Sequence, residues 1–592
     1  MNDYHGMILT SFCNHGKCKL FISPIYVRLM KNVFSLPWWK KTSIYQIYPR
    51  SFYDSTGDGI GDLQGIISKL DYIKESGFET IWFSPFYDSP QRDFGYDIKN
   101  FRDIAPEYGS LADADQLIKE IHARDMKIVM DMVLNHTSEE HPWFVESRSN
   151  RENPKRDWYV WREGKKPNGK APPTNWHSQI GGSGWHYDSP TDQWYWAAFL
   201  PFQPDLNFRN PAVQTEMLDT MRFWLDKGVD GFRLDILGSL FEDSEFRDNP
   251  FKLKLLPSES DPGMMFQGAE MTINHQDTLT FTQKLRDLTD EYQPARFLVG
   301  EVFGSYETIR KYCGENGIEG IHSVFQFQTL EAEFGYAGFG ALLHQSEKWF
   351  PDPFIPTWAF SNHDRTRRIS ILGNNIEKAK LNAAFQFTVR GIPYTYYGEE
   401  IGMRQVKIPI NQAKDGLALK FKKYPNLLIN ALQKISHGAI NRDGCRTPMQ
   451  WSGSGVKNAG FSSGPAVPWL PVDSEYPRIN VEEQKSDPDS LWNCYHRFLT
   501  IRRQYPALHA GKLDVFDPTT LPPKVLGYKR TALVNGVEQK LYIFLNFDKR
   551  MVQFPSLFEV PKLIASTTIL SRPLNDSQIC LQPWEGIVLS RE

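Results

Sequence analysis

Eight short runs of β-branched, aromatic and aliphatic residues punctuate the chain, and their number and spacing restrict the fold more than any other feature. They are Ser43 to Tyr48, Thr80 to Phe83, Lys127 to Met132, Gly231 to Asp235, Arg296 to Glu301, Ser323 to Gln326, Thr357 to Ser361 and Ile392 to Tyr397. The segments between them, among them Asp62 to Ser76, Ala112 to Arg124, Pro211 to Lys227 and Asp277 to Tyr292, repeat apolar residues every three or four positions, as amphipathic helices do. Alternation of this kind builds a parallel sheet with crossover helices, and eight strands close on themselves. The expected fold class is therefore α/β, a (β/α)8 TIM barrel.

At 592 residues the chain exceeds one barrel, and roughly two to four domains are expected. The interval 136–210 is rich in Trp, Pro, Gly and Asn without a sustained helical period, so it reads as a subdomain inserted after the third strand. A second irregular interval, 398–471, follows the eighth strand. Beyond Pro506 alternating runs, clearest in Val525 to Arg530 and Lys540 to Phe547, predict a C-terminal antiparallel β domain over 507–592. The barrel then occupies 38–135 and 211–506, and residues 1–37 form an N-terminal extension expected to be flexible.

A net charge of -3 from 67 basic and 70 acidic side chains offers no electrostatic attraction to nucleic acid or to an anionic membrane. No apolar run approaches the roughly 18 residues of a membrane span. The six cysteines are sparse and scattered, which points to reduced thiols in a cytoplasmic protein; Cys13 and Cys18 are spaced like half a zinc site but have no second half. A monomer acting on a small neutral ligand is the expectation, and 17 tryptophans supply flat faces suited to sugar rings.

Barrel enzymes place their chemistry at the C-terminal ends of strands. Four strands here end in acid-bearing peptides: Asp131-Met-Val-Leu-Asn135-His136, Gly231-Phe-Arg233-Leu-Asp235, Val299-Gly-Glu301-Val302 and Phe360-Ser-Asn362-His363-Asp364. In this order they resemble the four signature regions of glycoside hydrolase family 13, the α-amylase family. Gln203-Pro-Asp-Leu-Asn207 resembles the fifth region of its oligo-1,6-glucosidase branch, and Phe94-Gly-Tyr96-Asp97-Ile98 a sugar-clamping segment after the second strand. The resemblance spans about Trp38 to about Trp469.

Retaining cleavage of a glycoside needs two carboxyl groups about 5 to 5.5 Å apart. The resemblance makes Asp235 the nucleophile, Glu301 the acid and later base, and Asp364 the residue that holds the 2- and 3-hydroxyls. Arg233, two residues before Asp235 on a strand, points to the same side and keeps the nucleophile ionised. His136 and His363 resemble the family's two hydroxyl-binding histidines. Tyr96 is expected to stack on the sugar while Asp97 takes the 4- and 6-hydroxyls, with Arg442 as the partner of that carboxylate and Arg446 as the alternative partner. Phe199 completes the substrate-binding set.

Asp54-Ser-Thr56-Gly-Asp58-Gly-Ile60-Gly-Asp62 puts oxygen ligands at alternate positions, a spacing that suits Ca²⁺, and it resembles the family's calcium loop. Asp54, Thr56, Asp58, the Ile60 carbonyl and Asp62 would be its ligands, with Thr56 where Asn is commoner; the alternative is a metal-free Asp/Gly turn.

The resulting expectation is an exo-acting α-glucosidase that works on short oligosaccharides. Ile236, directly after the nucleophile, occupies a place where Val accompanies α-1,6 and Ala, Gly or Thr α-1,4 cleavage in similar enzymes, so an α-1,6 lean is expected. Maltase, sucrose, trehalose or trehalose-6-phosphate hydrolase activity and transglucosylation are the alternatives, and a catalytically silent, transporter-associated relative is the non-enzyme alternative.

Overall fold

The computed structural model describes residues 11–14, 17–20, 36–165, 169–422, 425, 429, 440–462, 464–556, 561–569 and 577–591. Most of the N-terminal extension therefore lies outside the described residues; within it, Ser11–Asn14 pairs antiparallel with Lys17–Leu20.

All eight expected strands form: β1 (Ile44–Ile47), β2 (Thr80–Phe83), β3 (Lys127–Met132), β4 (Gly231–Leu234), β5 (Phe297–Gly300), β6 (Ser323–Val324), β7 (Thr357–Ala359) and β8 (Ile392–Tyr396). They lie in one parallel sheet in the order β6-β5-β4-β3-β2-β1-β8-β7. Strands covered on both faces bury nearly every residue, which is why the runs read as continuously apolar rather than alternating. One buried cluster takes Ile44, Trp82, Val129, Phe297, Val299, Ile392 and Tyr394 from five of these strands, β1, β2, β3, β5 and β8, and fills the barrel with side chains.

The sheet's two ends meet through side chains. Thr357 Oγ1 donates to the Val324 carbonyl at 3.0 Å and accepts from the Gln326 N–H at 2.9 Å, while Ser323 Oγ donates to the Ile355 carbonyl at 2.8 Å. Two hydroxyls thus complete a closure that backbone pairing does not reach.

Helices start where capping chemistry allows. Ser110 and Asp113 form a reciprocal capping box at Leu111–Ala123, and Asn210 caps Pro211–Asp226, whose proline sits where its missing N–H does no harm. Asp62 caps Leu63–Ser68, and a break at Lys69 divides the expected single helix in two.

Inserted after β3 is a three-stranded antiparallel sheet, with Gln193–Trp196 between Trp161–Arg162 and Trp185–Asp188. Trp176, Trp185 and Trp196 form its core. At the C terminus Val525–Val534 and Val537–Asn546 pair over their whole length within a five-stranded antiparallel sheet. A third long excursion, residues 236–275 between β4 and the helix Gln276–Asp290, carries only a short 3-10 turn at Leu237–Ser239 as helix. The sequence predicts two irregular intervals, 136–210 and 398–471, and this stretch is a third.

Thr357→Val keeps the shape at the seam and removes its hydroxyl, leaving a buried carbonyl and a buried N–H without their partner. The expected loss is about 1 to 3 kcal/mol, read as a lowered melting temperature by calorimetry; an unchanged transition would show that the hydroxyl contributes nothing to closure.

Candidate active site

Arg233 projects from β4 with its guanidinium buried among three carboxylates. One terminal nitrogen binds Asp131 Oδ1 at 2.6 Å and Asp235 Oδ1, and the other binds Glu301 Oε2 at 2.6 Å. Strand register explains the convergence. Arg233 lies beside Asp131 of β3 on one flank and Val299 of β5 on the other, so the acids at the ends of three adjacent strands share one charge.

Glu301 Oε2 also accepts the Ile236 N–H at 3.1 Å. Ile236 holds that position with φ 36 and ψ 42, a left-handed conformation that β-branched residues rarely adopt. Such strain persists where the surroundings enforce it, and here it turns a backbone donor toward Glu301.

One guanidinium cannot neutralise three carboxylates. Burial, reinforced by the negative charges of Asp235 and Asp364 and opposed by Arg233, pushes Glu301 up to about 8. Asp235 rises only to about 6, through burial and Asp131, again opposed by Arg233. At neutral pH the site therefore keeps a proton on Glu301 beside an ionised Asp235.

Opposite lies a wall of rings. The Tyr96 ring stacks on His363, centroids 5.4 Å apart and 2° from parallel. The Gln46 amide nitrogen donates to His363 Nδ1 at 2.8 Å, so the imidazole carries its proton on Nε2. That nitrogen faces Tyr96 Oη at 2.6 Å and Asp364 Oδ2 at 3.2 Å, and Tyr96 passes its own proton toward Asp131 Oδ2 at 3.1 Å. Burial lowers His363 to about 3 and His136 to about 4, so both are neutral hydrogen-bonding groups. His136 Nε2 donates to the Tyr96 carbonyl at 3.1 Å, and the Phe199 ring lies 6.0 Å from its ring.

Asp364 accepts from Arg442 Nη1 at 3.1 Å and from Arg446 Nη2 at 3.0 Å. Burial alone would raise this carboxyl, but His363, Arg442 and Arg446 hold it well below the usual range.

The expected pair of Asp97 with Arg442 does not form. Phe94 and Gly95 both take positive φ, and the tight turn swings the Asp97 carboxylate back onto its own loop, where it accepts from Ser89 Oγ at 2.9 Å and from the Arg92 and Asp93 N–H groups at 3.0 Å. Asp93, the residue just before that segment, meets Arg442 Nη2 at 2.8 Å instead. Asp415, from the insertion after β8, binds the same guanidinium at 2.7 and 2.9 Å. Arg442 thus ties the loops after β2, β7 and β8 together. Arg446, the alternative partner, binds Asp364 and the His363 carbonyl.

In the loop after β1 the expected ligand oxygens are turned onto protein donors. Asp54 accepts from Gly57 N and Gly59 N at 2.7 Å and from Thr56 Oγ1 at 3.2 Å, Asp58 from Ile60 N at 2.8 Å, and Asp62 from Gly65 N at 2.6 Å and from both Ser55 donors at 2.7 Å. Among the described residues no three acidic, histidine or cysteine side chains converge as a metal cage would. As placed, these groups do not fit an ion. No helix of the described residues is long and apolar enough to cross a membrane.

The profile of the α-amylase catalytic domain matches residues 46–511. An oligo-1,6-glucosidase of Parageobacillus thermoglucosidasius is 38% identical over 578 residues, covering 93% of this chain and 98% of the relative. Among solved structures, an α-glucosyl transfer enzyme superposes with a TM-score of 0.83 at 35% identity, covering 94% of this chain and all of the other. The trehalose-6-phosphate hydrolase of Bacillus licheniformis does so with a TM-score of 0.79 at 32% identity, over 94% and 99% of the two chains.

A buried acid titrating near 8 leaves a mark on stability. Its folded value lies above the ordinary 4.5, so its contribution is complete below that pH and is lost as pH rises through about 8. Glu301→Gln removes this dependence. The melting temperature of the variant relative to wild type should climb steadily from pH 5 to pH 8.5 by calorimetry; a constant difference would show that Glu301 ionises in its ordinary range.

Proposed function

This chain belongs to the α-amylase family, and we propose that it acts there as a retaining, exo-acting α-glucosidase that removes terminal α-linked glucose from short oligosaccharides, with a lean toward α-1,6 bonds. The observation that carries the reading is the Arg233 cluster, which holds an ionised Asp235 and a protonated Glu301 on one guanidinium. One carboxylic acid beside one carboxylate is what glycoside cleavage requires, and the binding of both to a single guanidinium supports the close spacing of the retaining form.

Asp235 attacks the anomeric carbon while Glu301 gives its proton to the departing oxygen. The first sugar leaves, and a covalent glucosyl ester remains on Asp235. Glu301, now a carboxylate, takes a proton from water, which attacks the ester and releases glucose with its original anomeric configuration. Arg233 keeps Asp235 ionised until attack. Asp364, held as a carboxylate by two arginines, takes the 2- and 3-hydroxyls and offsets positive charge developing at the anomeric carbon. Tyr96, backed by His363, stacks on the glucose ring, and Asp93 with Arg442 receives its far end. Three loops tied by Arg442 close that end, which favours a terminal glucose over the middle of a chain.

We extend three further readings to this chain on narrower grounds. Sparse cysteines support a cytoplasmic location, and a monomer remains the working oligomeric state. Calcium at Asp54, Thr56, Asp58, Ile60 and Asp62 rests on the donor types and their spacing alone, since an ion would first have to displace the backbone donors those carboxylates hold.

Linkage preference is tested with isomaltose and maltose. The purified enzyme should show the higher kcat/KM for isomaltose, Ile236→Thr should move the ratio toward maltose by roughly tenfold at most, and Asp235→Asn should lose at least about 1,000-fold on both. A strong wild-type preference for maltose that Ile236→Thr leaves untouched would remove the linkage argument; Asp235→Asn activity within about tenfold of wild type would remove the nucleophile. Chelation should lower the melting temperature if the loop holds calcium. An unchanged transition with no metal by elemental analysis would discard it.

A further inference from the structure

The excursion after β4 is hydrogen-bonded to the loops that follow β5, β6 and β7, and near its middle stands Glu259, only 3% exposed. Its backbone is stitched to two neighbouring loops: the Gly304 N–H donates to its carbonyl at 2.9 Å, and its own N–H donates to Glu331 Oε1 at 3.3 Å. Its side chain reaches a third. Glu259 Oε1 accepts from Arg365 Nε at 3.0 Å and from Arg365 Nη2, and Arg365 follows Asp364 directly and also donates to the Asp364 carbonyl at 3.3 Å.

These contacts place the pair on the loops after β5, β6 and β7. The glucose-binding wall of Tyr96, Asp93 and Arg442 comes from the loops after β2 and β8, whereas Glu301 directly follows β5 and leads into the loop of Gly304, on the side of the pair. An acid must face the oxygen it protonates, so the flank beyond Glu301 receives the leaving group. Within the pair it is the arginine that meets solvent, with 26% of its side chain exposed against 2% for the glutamate. The other arginines of the site, Arg233, Arg442 and Arg446, are each matched with carboxylates around the glucose subsite. Arg365 is therefore, of these four arginines, the one on the Glu301 side, and a bare guanidinium there would attract a phosphate.

We propose that Glu259 is a specificity-determining residue: by pairing with Arg365 it cancels the charge bordering the leaving-group subsite and directs the enzyme to neutral glucosides rather than phosphorylated ones. The proposal rests on the α-glucosidase reading and specifies its substrate class. A buried carboxylate suits the task, because it holds the guanidinium through Nε and Nη2 while 26% of the arginine side chain stays exposed to meet the hydroxyl groups of an uncharged sugar.

The test measures inhibition of p-nitrophenyl α-D-glucopyranoside hydrolysis by glucose 6-phosphate and by glucose, as the ratio of their inhibition constants. Wild type should bind glucose the more tightly of the two. Glu259→Gln should shift the ratio toward glucose 6-phosphate by about tenfold or more, and the double variant Glu259→Gln with Arg365→Gln should return it to the wild-type value. A role in loop stability alone would weaken both inhibitors together and leave the ratio fixed. If Glu259→Gln does not fold, Arg365→Gln decides, since an uncovered Glu259 should move the ratio the opposite way. An unchanged ratio in the variants that fold overturns the proposal while the hydrolytic reading stands; a wild-type enzyme that turns over no α-glucoside overturns the reading beneath it.

Discussion

A single positive charge shared among three buried carboxylates organises this molecule. Arg233 can compensate Asp131, Asp235 and Glu301 only in part, and the remaining imbalance keeps a proton on the acid with the highest affinity for it, Glu301. The different protonation of Asp235 and Glu301 thus follows from one guanidinium and its depth. In water the same groups would all ionise at neutral pH and their roles would be interchangeable.

The fold exists to hold that cluster. Three adjacent parallel strands deliver its members at neighbouring registers, and a barrel filled with Trp82, Phe297 and Tyr394 supplies the apolar floor that makes the charges interact strongly. Closure depends on modest parts, the hydroxyls of Thr357 and Ser323. Above this floor the loops do opposite jobs. Arg442 ties together carboxylates from two loops and an insertion, while Glu259 of the excursion after β4 pairs with Arg365, next to Asp364.

Much of this was legible in the sequence, for identifiable reasons. Buried parallel strands leave unmistakable apolar runs, and Asp235, Glu301 and Asp364 stand at strand ends whose direction the barrel fixes. Arg233 followed from the two-residue period of a strand. What failed was the reading of loops. Asp93 stands just before the segment that carries Asp97, and which of the two meets Arg442 is decided by positive φ at Phe94 and Gly95, which a linear sequence does not display. Asp415, from a distant insertion, shares Arg442 through contacts that no local pattern announces. The excursion over 236–275 had a usable signal, a forty-residue gap between one strand and the next helix. The acidic loop after β1 shows the same limit: ligand-like spacing was visible, whereas the hydrogen bonds that occupy those oxygens were not.

The central claim is that Asp235 and Glu301 perform a double displacement. Its most direct measurement is the anomeric form of the glucose first released, followed by proton NMR during the opening minutes of hydrolysis, before mutarotation mixes the two forms. Retention through a glucosyl ester on Asp235 predicts that α-glucose accumulates first and β-glucose only later. Initial release of β-glucose would mean a single displacement by water, and would contradict the assignment of Asp235 as nucleophile.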